Sequence, residues 1–175
     1  LTDNRALEVL TAARVVQPAH LALADAHHRL QLADQTGILD PAATEPLVEL
    51  IRSRLPNDLA GLAVGTGIAD IVLGYLLGKQ LGVPVASIAN QDGMLQVGGR
   101  LPNAGAVALV IAVLDEPATI SEFVAACSQA GAEAAGVVAL VDRLNHPDLR
   151  VRALLRWADY TDKPDQCPVC AGDRS

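Results

Sequence analysis

Leu59-Ala-Gly-Leu-Ala-Val-Gly-Thr-Gly-Ile-Ala-Asp-Ile-Val-Leu-Gly-Tyr-Leu-Leu-Gly-Lys-Gln-Leu-Gly-Val-Pro-Val-Ala-Ser-Ile-Ala89 reads as a strand, a helix and a second strand in one unbroken run. Leu59 to Val64 is a short apolar stretch of buried-strand type. Thr66 to Leu81 follows at helical spacing, and the pattern turns Ile68, Ile71, Val72, Tyr75 and Leu76 inward before Gly82 and Pro84 close the helix. Val85 to Ala89 is the next strand. Strands alternating with helices in this way predict an α/β domain built on a parallel sheet.

The alternation continues outward. Asn90 to Pro102, with Gly93, Gly98, Gly99 and Pro102, suits a loop or small hairpin projecting from the sheet. Ala106 to Leu114 is a continuous apolar strand that Pro117 interrupts, and Thr119 or Ser121 can cap the helix that runs to Ala130 and that Gly131 ends. Gly136 to Val141 is a third strong strand, followed by the polar turn Asp142-Arg143, and Val151 to Leu155 is an edge strand. Toward the N-terminus, Leu7, Val9, Leu10, Ala13 and Val16 share a helical face over Asp3 to Val16, with Thr2 or Asp3 as the cap. Ala19 to Gln35 fits either a pair of short strands or a helix. Asp40-Pro41 starts a helix reaching Leu55, with proline in the first turn where a helix accepts it. One domain is expected: an N-terminal helical hood over residues 1–58, a core over 59–143, and an edge strand with a cysteine-containing tail over 144–175.

Composition narrows the function. The 175 residues are 51% hydrophobic but only 2% aromatic, so the core must be built from small branched side chains in close layers, as helices on a sheet allow. A formal charge of −7 disfavours a general grip on phosphate backbones, and so few rings leave little for base stacking, which argues against a nucleic-acid partner. The longest apolar run, Ala104 to Leu114, is well short of the ~20 residues of a membrane span. No basic stretch leads into an apolar signal core, so a cytoplasmic setting is expected. Three cysteines make no disulfide framework, and Cys127 reads as a small core hydrophobe.

Ligands of open parallel sheets sit at the carboxyl ends of the strands. Four loops qualify here: Val64-Gly65-Thr66-Gly67, Asn90-Gln91-Asp92-Gly93, Asp115-Glu116-Pro117-Ala118-Thr119, and Asp142-Arg143. Gly65-Thr66-Gly67 before a helix offers N–H groups and a positive dipole end to an anion, but lacks the later glycine of a dinucleotide fingerprint and the Gly-Lys of a P-loop. A plain strand-to-helix turn is the competing interpretation. Cys167 and Cys170 could give zinc two thiolates, with His20, His27, His28 or His146 completing the set if the fold brings them close. Otherwise the pair is a reduced dithiol or a subunit-contact turn. His27-His28 reads as surface or dimer-facing.

From Gly61 to Arg143 the chain resembles the type I phosphoribosyltransferases. The tail Arg152-Ala-Leu-Leu-Arg-Trp-Ala-Asp-Tyr160, followed by Gln166-Cys-Pro-Val-Cys-Ala-Gly172, is similar to orotate phosphoribosyltransferases that end in a Cys-Pro-Leu-Cys segment. The most specific stretches are that tail and Ala130-Gly-Ala-Glu-Ala-Ala-Gly-Val-Val-Ala-Leu-Val-Asp-Arg143; Thr66-Gly67 followed by Leu81-Gly-Val-Pro-Val-Ala86 adds order and spacing. The resemblance implies a three-layer α/β/α, Rossmann-like parallel sheet, a homodimer, and transfer of ribose 5-phosphate from phosphoribosyl pyrophosphate (PRPP) to a base, with magnesium on the diphosphate. It also implies a strand ending in two acidic residues that hold the ribose hydroxyls, then a Thr-Thr-Gly-Gly-Ser loop around the 5-phosphate.

Counting back from Ala130-Gly-Ala-Glu133, the acidic pair falls on Ile111 and Ala112, and the phosphate loop on Asp115 to Thr119. Each carboxylate there would repel a phosphate by about 1 kcal/mol at ~4 Å even in bulk water, and Pro117 removes an N–H from the cradle. The projecting loop has no lysine, and Leu23-Ala24-Asp25-Ala26 stands where the family's Leu-Lys-Ser-Gly is expected. Arg143 survives where the family has an arginine that contacts the orotate carboxylate, and Thr66-Gly67 still opens its helix. A plain ion pair with Asp142 or a neighbour is the alternative for Arg143, and an acidic helix start the alternative for Asp115 and Glu116.

The expectation is therefore an orotate phosphoribosyltransferase-like protein that has lost PRPP-dependent transfer and keeps a ligand-binding or structural role. Its candidate ligand residues are Thr66, Gly67, Asp115, Glu116, Thr119 and Arg143, for a pyrimidine-like acid or a sugar. The rival is a divergent active transferase, using orotate and PRPP or an altered sugar donor, with Asp115 or Glu116 on sugar hydroxyls or magnesium.

Overall fold

The computed structural model describes residues 4–22, 26–32, 35–144, 151–163, 165–168 and 170. Helix α1 (Asn4–Ala12) leads into a hairpin of β1 (Val16–Ala22) and β2 (His27–Leu32). A 3-10 turn (Gln35–Leu39) precedes α2 (Pro41–Arg52), and the alternating core follows: β3 (Leu59–Val64), α3 (Ile68–Leu81), β4 (Val85–Gln91), β5 (Met94–Gly98), β6 (Ala106–Leu114), α4 (Pro117–Ala130) and β7 (Glu133–Asp142). Strand β8 (Val151–Arg156), a 3-10 turn (Trp157–Tyr160) and the short β9 (Thr161–Asp162) bring the chain back to the hairpin.

The main sheet has the order β5-β4-β3-β6-β7-β8. Its pairings are parallel except β4 with β5, which the projecting hairpin makes antiparallel through the turn at Asp92-Gly93. Both turn residues take positive φ, and Asn90 Oδ1 accepts the Gly93 N–H at 2.9 Å. A second sheet, β1-β2-β9, stands over one side. One face of the main sheet packs with α1, α2 and α3 around Leu10, Leu47, Ile51, Leu73 and Leu140; the other packs with α4 around Leu109, Phe123 and Cys127. These are the three layers expected from the sequence. Burial pushes the Cys127 thiol up to about 11, as befits a core group. No helix among the described residues is long and apolar enough to cross a membrane.

Four local expectations need correction or completion. The N-terminal helix stops at Ala12, short of Val16, because Arg14 turns to φ 54° and Val16 starts β1; its proposed caps, Thr2 and Asp3, lie outside the described residues. The open choice over residues 19–35 falls to strands among the described residues; Leu30 is buried, Ala19 and the other residues of β2 are half-buried, and His20, Leu21 and Ala22 are exposed. Neither Thr119 nor Ser121 caps α4: Pro117 takes the first helical position and moves the cap to Glu116, whose side chain makes no capping bond.

The largest correction concerns α3. Ala69, Asp70, Leu73, Gly74, Leu77 and Gly78 face the core, whereas Ile68, Ile71 and Tyr75 are exposed, with Val72 and Leu76 half-buried between. The reason is close approach. A Cβ on Gly74 would collide with Val64 and one on Gly78 with Val85, so the glycine stripe lets the helix settle onto β3 and β4 and leaves the bulky residues outside.

Candidate functional site

The carboxyl ends of β3, β6 and β7 open into the turns at Gly65-Thr66-Gly67, Asp115-Glu116 and Arg143. The Arg143 N–H donates to the Leu114 carbonyl at 2.9 Å, joining the last two. Thr66 and Gly67 are exposed at the start of α3, with Gly67 as its cap residue. Asp115 and Glu116 are exposed, and Thr119 is half-buried, its N–H donating to the Glu116 carbonyl at 3.2 Å.

Asp70 belongs to none of the sequence motifs, yet its carboxylate lies at this edge between β6 and the turn at Gly65-Thr66-Gly67. Asp70 is buried in the first turn of α3, where its Oδ1 accepts the Ala112 N–H across the layer at 2.7 Å. Its carboxylate also accepts the Gly67 N–H, and Oδ2 lies so close to Gly65 that a Cβ there would strike it. The signal was present in the spacing: an acid three residues after a helix cap reaches back to the cap's N–H. Burial raises the Asp70 pKa above 3.8; the bonds from Ala112 and Gly67 oppose this, and the Asp115 charge adds to it.

That arrangement tests the fit for a magnesium-bound diphosphate. The Gly67 N–H of the turn that would receive an anion already serves the chain's own carboxylate, which packs against Gly65, and Asp115 adds a second negative charge to its field. Ile111 and Ala112, where the resemblance calls for paired acids, are buried and apolar. These residues do not fit the group, although exposed Asp115 and Glu116 remain carboxylates on the same edge.

Arg143 looks a different way. Its guanidinium lies 5.6 Å from the centre of the Trp157 ring. The alternative for Arg143, an ion pair with Asp142, is not found among the described residues; Asp142 is buried and its Oδ1 accepts the Leu144 N–H at 2.9 Å. Among the described residues the ion pair present is Arg29 with Asp162, at 2.8 Å, between the hairpin and β9. Arg143 and Trp157 line a hollow of about 360 Å³ with Leu21, His28, Gln31 and Leu32. His28 is oriented there by Thr161, whose Oγ1 is 3.0 Å from its Nδ1. A planar cation, an indole and an imidazole around one space can receive a flat acid. A larger hollow, about 530 Å³, lies at the start of β3 between Arg52, Asp58 and Leu81; it is at the opposite end from the strand-end turns and carries none of their residues.

The tail supplies a further group. Cys167 and Cys170 meet His20 and His27, and all four ligand atoms lie within 4.8 Å of one another, a set that could hold a metal ion. The other histidine candidates differ: His28 belongs to the Arg143 hollow, and His146 lies outside the described residues, as do residues 23–25 of the expected lysine segment.

No family model matches the chain. It is 24% identical over 170 residues to an orotate phosphoribosyltransferase of Desulforamulus reducens, covering 94% of this chain and 89% of that protein. In structure it is similar to an orotate phosphoribosyltransferase from Aeropyrum pernix, with a TM-score of 0.69 at 18% identity over 87% of this chain and 94% of the other. An adenine phosphoribosyltransferase from Trypanosoma brucei gives 0.66 at 13% identity, over 99% of this chain and 94% of the other. The chain therefore resembles orotate phosphoribosyltransferases in sequence along nearly its whole length, and it has the type I phosphoribosyltransferase fold.

Proposed function

We propose that this protein is an orotate phosphoribosyltransferase-like binding protein that has lost PRPP-dependent transfer and keeps a pocket for a planar organic acid. The observation carrying this reading is the Asp70 carboxylate, which takes the Ala112 N–H of β6 and the Gly67 N–H of the strand-end turn that would otherwise be offered to an anion. Negative charge at Asp70, Asp115 and Glu116 opposes a polyanionic donor, while the slot between Arg143, Trp157 and His28 suits one carboxylate on a flat ring.

Calorimetry on the full chain separates the alternatives. Orotate is expected to bind, and PRPP with magnesium to give no saturable heat and no orotidine 5-phosphate when both are supplied. Magnesium-dependent PRPP binding with turnover would overturn the proposal and establish the divergent transferase instead. No binding of either compound would leave only a structural role and remove the pocket from the account.

We also propose a homodimer that uses the exposed face of α3. Ile68, Ile71 and Tyr75 are 68%, 47% and 64% exposed, and their spacing puts them on one side of the helix. Sedimentation is expected to give twice the chain mass, falling to one chain mass in an Ile71→Glu, Tyr75→Glu double variant. A monomeric parent protein would exclude the pairing.

A further inference from the structure

We propose that His20, His27, Cys167 and Cys170 are the four ligands of a structural zinc ion that fastens the N-terminal hairpin to the C-terminal tail. Three sulfur–nitrogen separations define the cluster. Cys167 Sγ lies 3.4 Å from His20 Nε2, Cys170 Sγ lies 3.5 Å from the same nitrogen, and Cys170 Sγ lies 3.4 Å from His27 Nδ1. Zinc–sulfur bonds of about 2.3 Å and zinc–nitrogen bonds of about 2.0–2.1 Å at tetrahedral angles put sulfur and nitrogen roughly 3.6 Å apart. The observed separations are therefore close to the edges of a zinc tetrahedron.

Hydrogen bonding alone accounts for the geometry less well. A neutral imidazole carries one N–H, yet His20 Nε2 is within reach of both sulfurs at once. A cation at the centre satisfies all four groups together, with thiolates from the cysteines and lone pairs from the rings. Two sulfurs and two nitrogens are a zinc donor set, and four protein ligands leave no open position, so the ion's role is structural.

The fold explains how residues so distant in sequence meet. His20 and Cys167 are 147 positions apart. Strand β9 pairs with β2 through His27 with Asp162 and His28 with Thr161, which carries the tail to the hairpin and presents Cys167 and Cys170 to its edge. Alternation along the strands then divides the work. Leu21 and His28, a paired couple in the hairpin register, line the Arg143 hollow, while the neighbouring His20 and His27 serve the metal cluster. An ion held there fixes the strand segment that forms one wall of the hollow, whatever that hollow binds.

The test uses the full chain, purified without chelators and dialysed into metal-free buffer, with zinc measured by mass spectrometry. About one equivalent per chain is expected; less than half an equivalent would overturn the proposal. Cobalt(II) put in place of zinc is expected to show tetrahedral ligand-field absorption with sulfur-to-metal charge-transfer bands, and a purely octahedral spectrum would also overturn it. Cys167→Ser with Cys170→Ser should lose at least about nine-tenths of the metal, whereas Cys127→Ser, in the other core layer, should keep it. Retention of zinc by the double variant would refute the ligand assignment. Stripping the wild-type ion should speed amide exchange in β1 and β2 at least about tenfold without changing β6 and β7; unchanged exchange would refute the fastening role.

Discussion

Asp70→Ala is expected to destabilise the protein by about 1–3 kcal/mol at neutral pH, and Asp70→Asn by clearly less. Alanine strands the Ala112 N–H, which lies in a strand residue 1% exposed, and also removes the acceptor for the Gly67 N–H. Asparagine keeps an oxygen for Ala112 and discards a charge that burial disfavours. The pH dependence gives the sign. Because the folded pKa is raised above 3.8, the folded chain holds this proton more tightly than the unfolded one. The stability gained from that difference is complete below 3.8 and is lost as pH rises through the raised value. Urea unfolding across this range should show the loss in the parent protein and not in Asp70→Asn; identical slopes would show that the carboxyl titrates as an ordinary one. The same substitution removes one negative charge from the turn, and pyrophosphate affinity should rise about fivefold, the factor equivalent to about 1 kcal/mol.

Much of the sheet was legible because its strands are short apolar runs with glycine or proline between them. Leu59 to Val64 and Ala106 to Leu114 have the observed bounds of β3 and β6. The face of α3 was not legible by the same rule. Hydrophobicity alone turns Ile68, Ile71 and Tyr75 inward, but contact distance selects Gly74 and Gly78 for the sheet, and steric fit prevails over side-chain size. The N-terminal hairpin was ambiguous because β1 carries little burial: Val16 is buried, but most of Gln17 to Ala22 is exposed, so no period of two emerges in its hydrophobicity.

The site divides along similar lines. The strand-end turns could be placed from the sequence, since topology fixes where β3, β6 and β7 finish. What each turn does depends on cross-layer contacts, and these have no linear signature. Asp70 reaches Ala112, 42 positions away, and this contact holds its carboxylate against Gly65 and the Gly67 N–H of an apparent anion turn. Cys167 and Cys170 were visible as a pair, but the choice of His20 and His27 over His28 follows from hairpin register. Trp157 stood within the quoted tail without a role until the fold set it under Arg143.

Arg143→Ala is expected to weaken orotate binding roughly 10- to 100-fold, the range for losing a hydrogen-bonded contact to a charged group. The guanidinium is at the exposed rim of the hollow, so the effect should shrink as salt is raised. Lysine should restore only part of the affinity. It keeps the charge but loses the flat fork that can meet both carboxylate oxygens, and with it the stacking on Trp157 that holds the fork in place. Trp157→Leu should weaken binding less than the alanine variant, since it removes the support and leaves the charge. Titration of all three variants against orotate tests the ordering: a parent-like affinity in Arg143→Ala would place the acid elsewhere. If Trp157→Leu proved the more damaging, stacking on the indole rather than charge would be what the hollow offers its ligand.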